Sequence, residues 1–566
     1  MKRFENIQST PLDNLFGDDL ALQRIIQSLH EDPEAQEVSE KLAAWQSHLP
    51  KWNALAEVAA RVENLPRIEE RDRLGNPIER VVVPQETKTI REEVVRGGIF
   101  ECETEFEQFS KIYLLAQMGE SGVMCPLACT DGLIRVMNAV GSEELKDNYL
   151  PRILSAEFPL AGSQFVTEKM GGSDVGVIEA VVKTDSLGNK RLFGQKWFCS
   201  TPEEFYVVAA REEGAPSGTQ GISLYFVPRV LEENGVCAPN RLRMVRLKDK
   251  LGTQSLPTAE IDFDGALCFP LGKEEEGFHN LMTYVLNCSR LHNAANALGI
   301  HRRAFIEARQ YASERVAFGK PLIEHALVGE TLIDMLSHLN MNLLTFFRLI
   351  KKLDDDGWVP DDTERQLWLR FWINLLKYRS SARLVESTKS AILLLGGNGI
   401  VNDFSILPRL MRDGIIMETW EGTHNTLCLQ IMRDARRFDL FGKLKSEIEQ
   451  ILSSWPDDVL RDSQALYVSA FEEALAQCNP ENLNDSQWVL RHSRRVVDLF
   501  ADLLQTGMMV RMGVSENDTN TLVQASYLIF KFFGGRSGSF SSPALARFEA
   551  VGLDLIHERP VSTDTQ

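Results

Sequence analysis

The chain has 566 residues, of which 44% are hydrophobic, so it can bury more than one core and suggests three or four domains. Its formal net charge of −19 would repel a polyanion, so we do not expect nucleic acid as a partner. Nine cysteines without a C-x-x-C pair argue against a disulfide framework and indicate a reducing compartment, the cytoplasm or the lumen of an organelle. We find no apolar run that could span a bilayer and expect no membrane partner.

Residues 1–157 are predicted to form an N-terminal helical domain, because apolar residues recur at three-to-four spacing, as in Leu42, Trp45 and Leu49. Residues 68–83 interrupt this pattern with short extended pieces around Gly75-Asn76-Pro77, which predicts a hairpin.

Residues 158–272 change to short alternating runs separated by Gly, Asp and Pro, which predicts a mostly antiparallel β-domain. We expect its strands near residues 179–184, 190–196, 205–210 and 222–226.

Residues 273–438 return to long amphipathic helices, clearest at residues 281–318 and 330–353, and predict a helical bundle. Residues 439–566 continue the helical pattern, with loop-like breaks at 515–520 and 534–542, and form an extra C-terminal helical unit. The predicted fold class is therefore α+β and mostly α.

The common nucleotide and metal signatures are absent from the sequence. It has no G-x-x-x-x-G-K-[ST], no G-x-G-x-x-G between a strand and a helix, and no H-E-x-x-H. We therefore expect neither a Rossmann crevice nor a catalytic metal.

Two segments of the β-domain could hold a flat or anionic ligand. Residues 166–175 read V-T-E-K-M-G-G-S-D-V, where paired glycines between hydroxyl residues permit a ligand-binding backbone turn or an ordinary β-turn. Residues 194–200 read G-Q-K-W-F-C-S, which could offer an aromatic wall and a hydroxyl to a planar ring. A buried strand with paired aromatics is the alternative interpretation.

Three further segments lie in the helical region. Residues 314–320 read E-R-V-A-F-G-K and end a helix, either with an arginine for a pyrophosphate or with an ordinary cationic C-terminus. Residues 394–400 read L-L-G-G-N-G-I, a glycine turn that an ordinary helix cap also explains.

The last of the three contains a candidate base. Residues 417–425 read M-E-T-W-E-G-T-H-N, and Glu421 could be a desolvated carboxylate with a raised pKa, as a general base needs. An exposed glutamate at a helix start is the alternative.

Taken together, the five segments resemble the acyl-CoA dehydrogenase family over about residues 68–434. The order T-E-x-x-x-G-S-D, G-x-K-x-x-x-[ST], E-R-x-x-F-G, L-G-G-x-G and [YW]-E-G-T is highly specific to that family. The chain is most similar to the AidB-like branch, through K-D-K-L-G at residues 248–252 and Cys125-Pro126.

The resemblance implies FAD as the cofactor and assigns roles by position. The residues that would contact FAD are Val166, Thr167, Gly172, Ser173, Phe198, Ser200, Arg315, Phe318, Gly396, Gly397, Gly399 and Thr423. Those near the acyl-CoA would be Ser173, Arg290 and Gly422. Arg315, Phe318 and the glycine turn would reach the FAD of a neighbouring subunit, which implies a homo-oligomer, either dimer or tetramer. Leu393 stands where the family commonly has Gln.

The resemblance also implies the reaction. Glu421 aligns with the base that removes the alpha proton of an acyl-CoA, and a hydride then passes to the flavin, leaving a trans-2-enoyl-CoA. Some branches carry the base on an earlier helix, but Ser289 occupies that position here. An electron-transfer flavoprotein is the expected oxidant.

Two other functions remain open from the sequence. AidB-like proteins suggest a stress-response flavoprotein that binds nucleic acid, although residues 441–566 carry 11 Lys and Arg against 17 Asp and Glu, a balance of 11 − 17 = −6. The second is a membrane-docked or acyl-binding regulatory protein, because the apolar strip from Trp488 to Leu504 could dock on lipid or pack within the dimer.

Overall fold

The computed structural model describes residues 12–233, 236–360, 362–457, 459–535 and 551–561. Contacts divide the chain into two compact units. One unit is continuous and comprises residues 48–296, whereas the other joins the described parts of residues 1–47 and 297–566. In this division, residues 12–47 belong with the later helices, and the four domains expected from the sequence stay a prediction.

Helices make up most of the chain. Their bounds are α1 (Leu20–Leu29), α2 (Asp32–Gln46), α3 (Leu49–Ala59), α4 (Gln85–Arg96), α5 (Glu105–Ala116), α6 (Ser121–Val140), α7 (Glu143–Ile153), α8 (Gly277–Asn280), α9 (Asn287–Glu314), α10 (Ala326–Asp356), α11 (Thr363–Leu395), α12 (Leu407–Thr419), α13 (His424–Arg437), α14 (Leu440–Ser453), α15 (Arg461–Gln477), α16 (Pro480–Asn484), α17 (Ser486–Ser515) and α18 (Thr519–Phe533).

The strands lie mainly between α7 and α8. They are β1 (Arg67–Arg71), β2 (Pro77–Val82), β3 (Gly162–Phe165), β4 (Val181–Thr184), β5 (Lys190–Ser200), β6 (Phe205–Glu212), β7 (Ser223–Pro228), β8 (Val230–Glu233), β9 (Val236–Pro239), β10 (Leu242–Leu247), β11 (Thr258–Pro270), β12 (Val316–Ala317) and β13 (Lys320–Pro321). The predicted fold class, α+β and mostly α, is confirmed.

The central sheet has seven strands in the order β10-β11-β5-β4-β6-β3, and β7 pairs with both β11 and β6. Most pairs are antiparallel, as predicted, but β6 runs parallel to β3 and β4. One face packs around Phe165, Tyr206 and Val208, and the other packs against Leu133 and Val136 of α6. The sheet therefore has an apolar core on both faces.

The predicted hairpin is confirmed as the antiparallel pair β1 and β2. Asp72 closes its turn by accepting hydrogen bonds from the backbone N–H groups of Leu74 and Asn76. Gly75 has φ 85°, a left-handed conformation that glycine adopts without a steric penalty.

The helix predicted at residues 281–318 is shorter and less regular than expected. Its first part, residues 281–286, is a π-helical segment, and α9 ends at Glu314. Residues 316–321 then form the small hairpin β12–β13. Phe318 and Gly319 have φ 51° and 91°, and two left-handed residues suit such a tight turn and cannot continue a helix.

Capping side chains and glycines set the ends of the long helices. Asp362 accepts from the N–H groups of Glu364 and Arg365 where α11 begins. Gly357 follows α10 with φ 77°, and Gly396 follows α11 with φ 60°.

A buried charge cluster joins three distant parts of one unit. Arg302 on α9 is fully buried, and its guanidinium lies 2.8 Å from Glu558 Oε1 and 3.6 Å from Asp19 Oδ2. It also donates to the carbonyl oxygen of Asp18 at 2.8 Å. Asp19 in turn caps the start of α1. Arg302 thus connects three parts of the unit, namely the segment before α2, the middle of α9 and residues 551–561.

The C-terminal region is helical, as predicted, and its break near residues 515–520 falls between α17 and α18. The predicted break at 534–542 lies mostly outside the described residues. Of the strip on α17, Val496, Val497, Phe500, Leu503 and Leu504 are buried. Packing within the protein therefore accounts for most of this strip.

Among the described residues, α6 is long and apolar enough, by length and composition, to cross a membrane. The expectation that no segment meets this criterion was wrong. Val123, Leu127, Leu133 and Val136 of α6 are nevertheless buried in the protein. Such burial is typical of a core helix.

Candidate active site

The loop that follows β3 is locked to the sheet by a buried ion pair. Glu168 Oε1 accepts from Lys196 Nζ at 2.6 Å, and the same carboxylate accepts from the backbone N–H groups of Glu179 and Ala180. Lys196 is fully buried, and burial lowers its pKa although Glu168 opposes this shift. The pair fixes Val166 and Thr167, which precede Glu168 and are half-buried.

Strand β5 places an aromatic surface beside that loop. The N–H of Trp197 donates to the carbonyl oxygen of Thr167 at 2.9 Å. Phe198 is 52% exposed, and Lys248 Nζ lies 3.4 Å from the centre of the Trp197 ring. Ser200 Oγ lies 3.1 Å from Thr258 Oγ1 on β11. Predicted site residues of the loop and of β5 are therefore brought together.

The double glycine of the loop forms a turn in which Gly171 is buried and Gly172 is exposed. Glu168 and Gly171 exchange two backbone hydrogen bonds, which closes a tight turn. Gly172 and Ser173 follow in exposed positions. This turn leaves the edge of the loop open to a ligand.

Arg290, at the start of α9, lies next to a buried polar network. Ser289 Oγ donates to Gln164 Oε1 at 2.9 Å. Asp131 holds His292 at 2.8 Å and also contacts Arg135 and Cys288. The three side chains Asp131, Cys288 and His292 have the atoms of a metal site, but burial raises the pKa of the Cys288 thiol well above its usual range, and Asp131 adds to this shift. The network therefore supplies hydrogen-bond partners to the buried carboxylate of Asp131.

The candidate base lies in the turn between α12 and α13. Glu421 has φ 56° and Gly422 has φ 101°, so two successive residues adopt left-handed conformations. Glu421 is half-buried and its Oε2 is shielded from solvent. Thr423 is exposed at the first position before α13. The alternative considered from the sequence, an exposed glutamate at a helix start, does not fit this half-buried residue.

A buried lysine, which the sequence analysis did not single out, holds this turn. Lys377 on α11 donates to the carbonyl oxygens of Gly422 at 2.7 Å and Glu418 at 3.2 Å. The two acceptors lie on either side of Glu421. No local sequence signal connects the lysine to the turn, because 45 residues separate it from Gly422.

A cavity of about 350 Å³ lies beside the same turn. Burial raises the pKa of Glu418, which lines the cavity. Burial also lowers the pKa of His424 to about 4, with Lys377 as the second cause, so this imidazole is neutral near pH 7. The other lining residues are Tyr378, Arg379, Ala382, Arg383, Val385, Glu386, Arg494 and Asp498.

The glycine turn after α11 and the small hairpin after α9 lie close together. Asn398 Nδ2 donates to the hydroxyl of Tyr311 at 3.3 Å, four residues before Arg315. A Cβ on Gly399 would lie 2.3 Å from the carbonyl oxygen of Ile392, so only glycine fits there. Gly396 and Gly397 have open space around them, which a ligand could occupy.

An apolar surface surrounds this turn. Phe318 is 97% exposed, and Leu393 and Ile400 are 69% and 73% exposed. The hydroxyl and the ring of Tyr311 contact Asn398 and Phe404, so the residues belong to one region of their unit. Large exposed apolar residues in one region are typical of a protein interface.

The residues predicted to hold FAD fit such a group on two grounds. The exposed ring of Phe198 beside Ser200 offers a planar face and a hydroxyl, as an isoalloxazine requires. The open space at Gly396 and Gly397 leaves their backbone accessible to a phosphate. The individual contacts stay predictions.

Comparisons with known proteins identify the same family. Residues 275–435 match the family described as acyl-CoA dehydrogenase, C-terminal domain. Acyl-CoA dehydrogenase family member 11 of Caenorhabditis elegans is 29% identical over 500 residues, which cover 82% of this chain and 80% of the relative. AidB of Escherichia coli is 32% identical over 375 residues, 63% of this chain and 65% of AidB.

A solved structure extends this likeness over nearly the whole chain. The crystal structure of Caenorhabditis elegans ACDH-11 in complex with C11-CoA aligns with a TM-score of 0.84 and 23% identity, and covers 97% of this chain and 96% of that one. The five motifs, the fold and these matches together show that the chain is similar to the acyl-CoA dehydrogenase family and that its cofactor is FAD.

Proposed function

We propose that the protein oxidises an acyl-CoA thioester to a trans-2-enoyl-CoA, with Glu421 as the base that removes the alpha proton. The observation that carries this proposal is the placement of Glu421. Its carboxylate is shielded at Oε2 and lies in a turn whose carbonyl groups are fixed by Lys377. Desolvation strengthens a carboxylate base relative to one in water.

Different residues of the chain have different roles in the proposed reaction. A thioester alpha proton is too weakly acidic for a carboxylate in water, so the site must also stabilise the developing enolate oxygen. The backbone N–H of Glu421 is the donor that we assign to the thioester oxygen. When bound, FAD supplies the acceptor for the hydride that leaves the beta carbon. Phe198 and Ser200 would orient it, and Arg290 and Ser173 would position the acyl-CoA.

The reaction predicts a simple optical result. Purified protein should be yellow, and the flavin absorbance should bleach when a suitable acyl-CoA is added without oxygen. A panel of short, medium, long and branched acyl-CoAs is the appropriate screen, and C11-CoA belongs in it because ACDH-11 binds it. Persistent colour with every member of the panel would contradict a dehydrogenase function. An electron-transfer flavoprotein is the proposed oxidant, and the cytoplasm the proposed compartment.

The exposed apolar region supports a homo-oligomer. We expect Ile400→Asp to shift the protein from an oligomer toward a monomer and to lower its FAD content, since a charge would be buried at the contact. Light scattering after size-exclusion chromatography and the flavin-to-protein ratio measure the two effects. Leu490→Asp is the control, because Leu490 is 58% exposed on α17, a different helix. An unchanged mass for Ile400→Asp would place the interface elsewhere.

The nucleic-acid function of the AidB-like alternative has weaker support. Arg491, Arg494 and Arg495 are exposed on α17, but Arg494 donates to Asn425 at 2.7 Å and the C-terminal region is acidic overall. Salt-sensitive retention of duplex DNA at physiological ionic strength would favour this alternative.

A further inference from the structure

Lys377 is a buried lysine in the interior of α11. Its side chain is fully buried, and its Nζ donates to two backbone carbonyls, those of Glu418 and Gly422. Burial of an ammonium group disfavours its charge, so such a residue persists where its hydrogen bonds serve a defined purpose.

Both acceptors belong to the segment that presents Glu421. Glu418 lies in the last turn of α12, where the helix leaves carbonyl groups without intrahelical donors. Gly422 directly follows the base. One ammonium group therefore connects a carbonyl group three residues before the base to the carbonyl group of the residue after it, and Glu421 and Gly422 both have positive φ. Left-handed conformations at successive positions need such support from the surrounding structure.

We propose that Lys377 is a positioning residue, which holds the turn so that the Glu421 carboxylate points at the substrate. This inference rests on the proposed function of Glu421. Lys377 touches the backbone of the turn and need not touch the substrate. A small misplacement of a reacting group is enough to slow a reaction strongly.

The electrostatic part of the role involves Lys377 and the charged groups that line the adjoining cavity. Those groups are Lys377, Arg379, Arg383 and Glu386 on α11, Glu418 on α12, His424 on α13, and Arg494 and Asp498 on α17. Arg379 is paired with Asp498 and Asp502, and Arg383 with Glu386. His424 is neutral near pH 7. Lys377 is thus a cation that contacts the turn directly.

The test replaces Lys377 with residues that remove its properties separately. Lys377→Met keeps the length and removes both donors and charge. We expect FAD content and KM for the acyl-CoA to stay near wild type, while the anaerobic rate of flavin reduction falls about 10²-fold.

Lys377→Gln keeps an amide donor without the charge. We expect it to recover part of the rate, with the acid limb of the rate profile moved to higher pH, since a carboxylate that loses a neighbouring cation is protonated more easily.

Two controls separate this role from a structural one. Lys111 is a second buried lysine, paired with Glu107 at 2.7 Å on α5. Lys111→Met should lower the melting temperature without moving the acid limb. Because Glu418 would also respond to the loss of Lys377, the pH profile of Lys377→Gln is recorded in a Glu418→Gln background.

An unchanged reduction rate in Lys377→Met overturns the proposal. If that variant does not retain FAD, an unchanged rate and acid limb in Lys377→Gln overturn it instead. A wild-type protein that no acyl-CoA reduces would refute the proposed dehydrogenase function, which is a separate result.

Discussion

Glu421→Gln should bind FAD and acyl-CoA and yet leave the flavin oxidised. Glutamine has nearly the same shape as glutamate but cannot accept the alpha proton, so only the proton-transfer step is lost. Removal of a general base typically slows a reaction on the order of 10²–10⁴-fold. Stopped-flow measurement of flavin reduction without oxygen gives the rate, and the flavin spectrum of the resting protein gives FAD content.

The sharpest comparison is Glu418→Gln, because Glu418 is a second half-buried carboxyl group in the same region and burial raises its pKa. It competes with Glu421 for the role of base. We expect flavin reduction to persist in Glu418→Gln. If Glu418→Gln abolished reduction and Glu421→Gln did not, the base would have to be reassigned. Glu449→Gln, an exposed substitution on α14, controls for the change of net charge.

The largest stability effect is expected for Lys196→Met. This substitution leaves the Glu168 carboxylate in a buried position without its cation, although two backbone N–H groups still donate to it. Breaking a buried pair by removing one partner typically costs about 3–5 kcal/mol. We expect a loss of this size in the free energy of unfolding, measured with urea, and weaker binding of FAD because the adjoining loop loosens.

A double-mutant cycle separates the ion pair from simple packing. Lys196→Met with Glu168→Gln removes the stranded charge and should recover part of the lost stability. Lys183→Met is the surface control, since Lys183 pairs with Glu213 in an exposed position on β4, where such pairs contribute about 0–1 kcal/mol. Equal losses of unfolding free energy in Lys196→Met and Lys183→Met would show that the buried pair stabilises the protein no more than the surface pair.

Features with a local signature were predictable from the sequence. The β1–β2 hairpin followed from its Gly-Asn-Pro turn, and the strands of the β-domain from their alternation. The end of α9 was misplaced, because the apolar pattern of residues 281–318 continues through Val316 and Phe318. What stops the helix is the left-handed conformation of Phe318 and Gly319, and a non-glycine residue with positive φ leaves no mark in an apolar pattern.

Contacts between distant segments were not predictable in the same way. The parallel pairing of β6 with β3 and β4 depends on the path of the chain between strands. In the candidate site, the motif residues were found because the family motif fixes their order. Glu168 and Lys196 lie in two different motifs, but their ion pair and the role of Lys377 appear only when the fold brings separated residues together.

The cluster around Arg302 has a consequence for the order in which parts of the chain fold during synthesis. The unit of residues 48–296 has all of its own contacts once its last residue has left the ribosome. The segment that contains Asp19 cannot complete its contacts at that stage. Arg302, whose guanidinium contacts Asp19, is 283 residues further along the chain (302 − 19 = 283), and Glu558 is further still. The segment around Asp19 is therefore among the last parts to fold, although it is synthesised before the unit of residues 48–296.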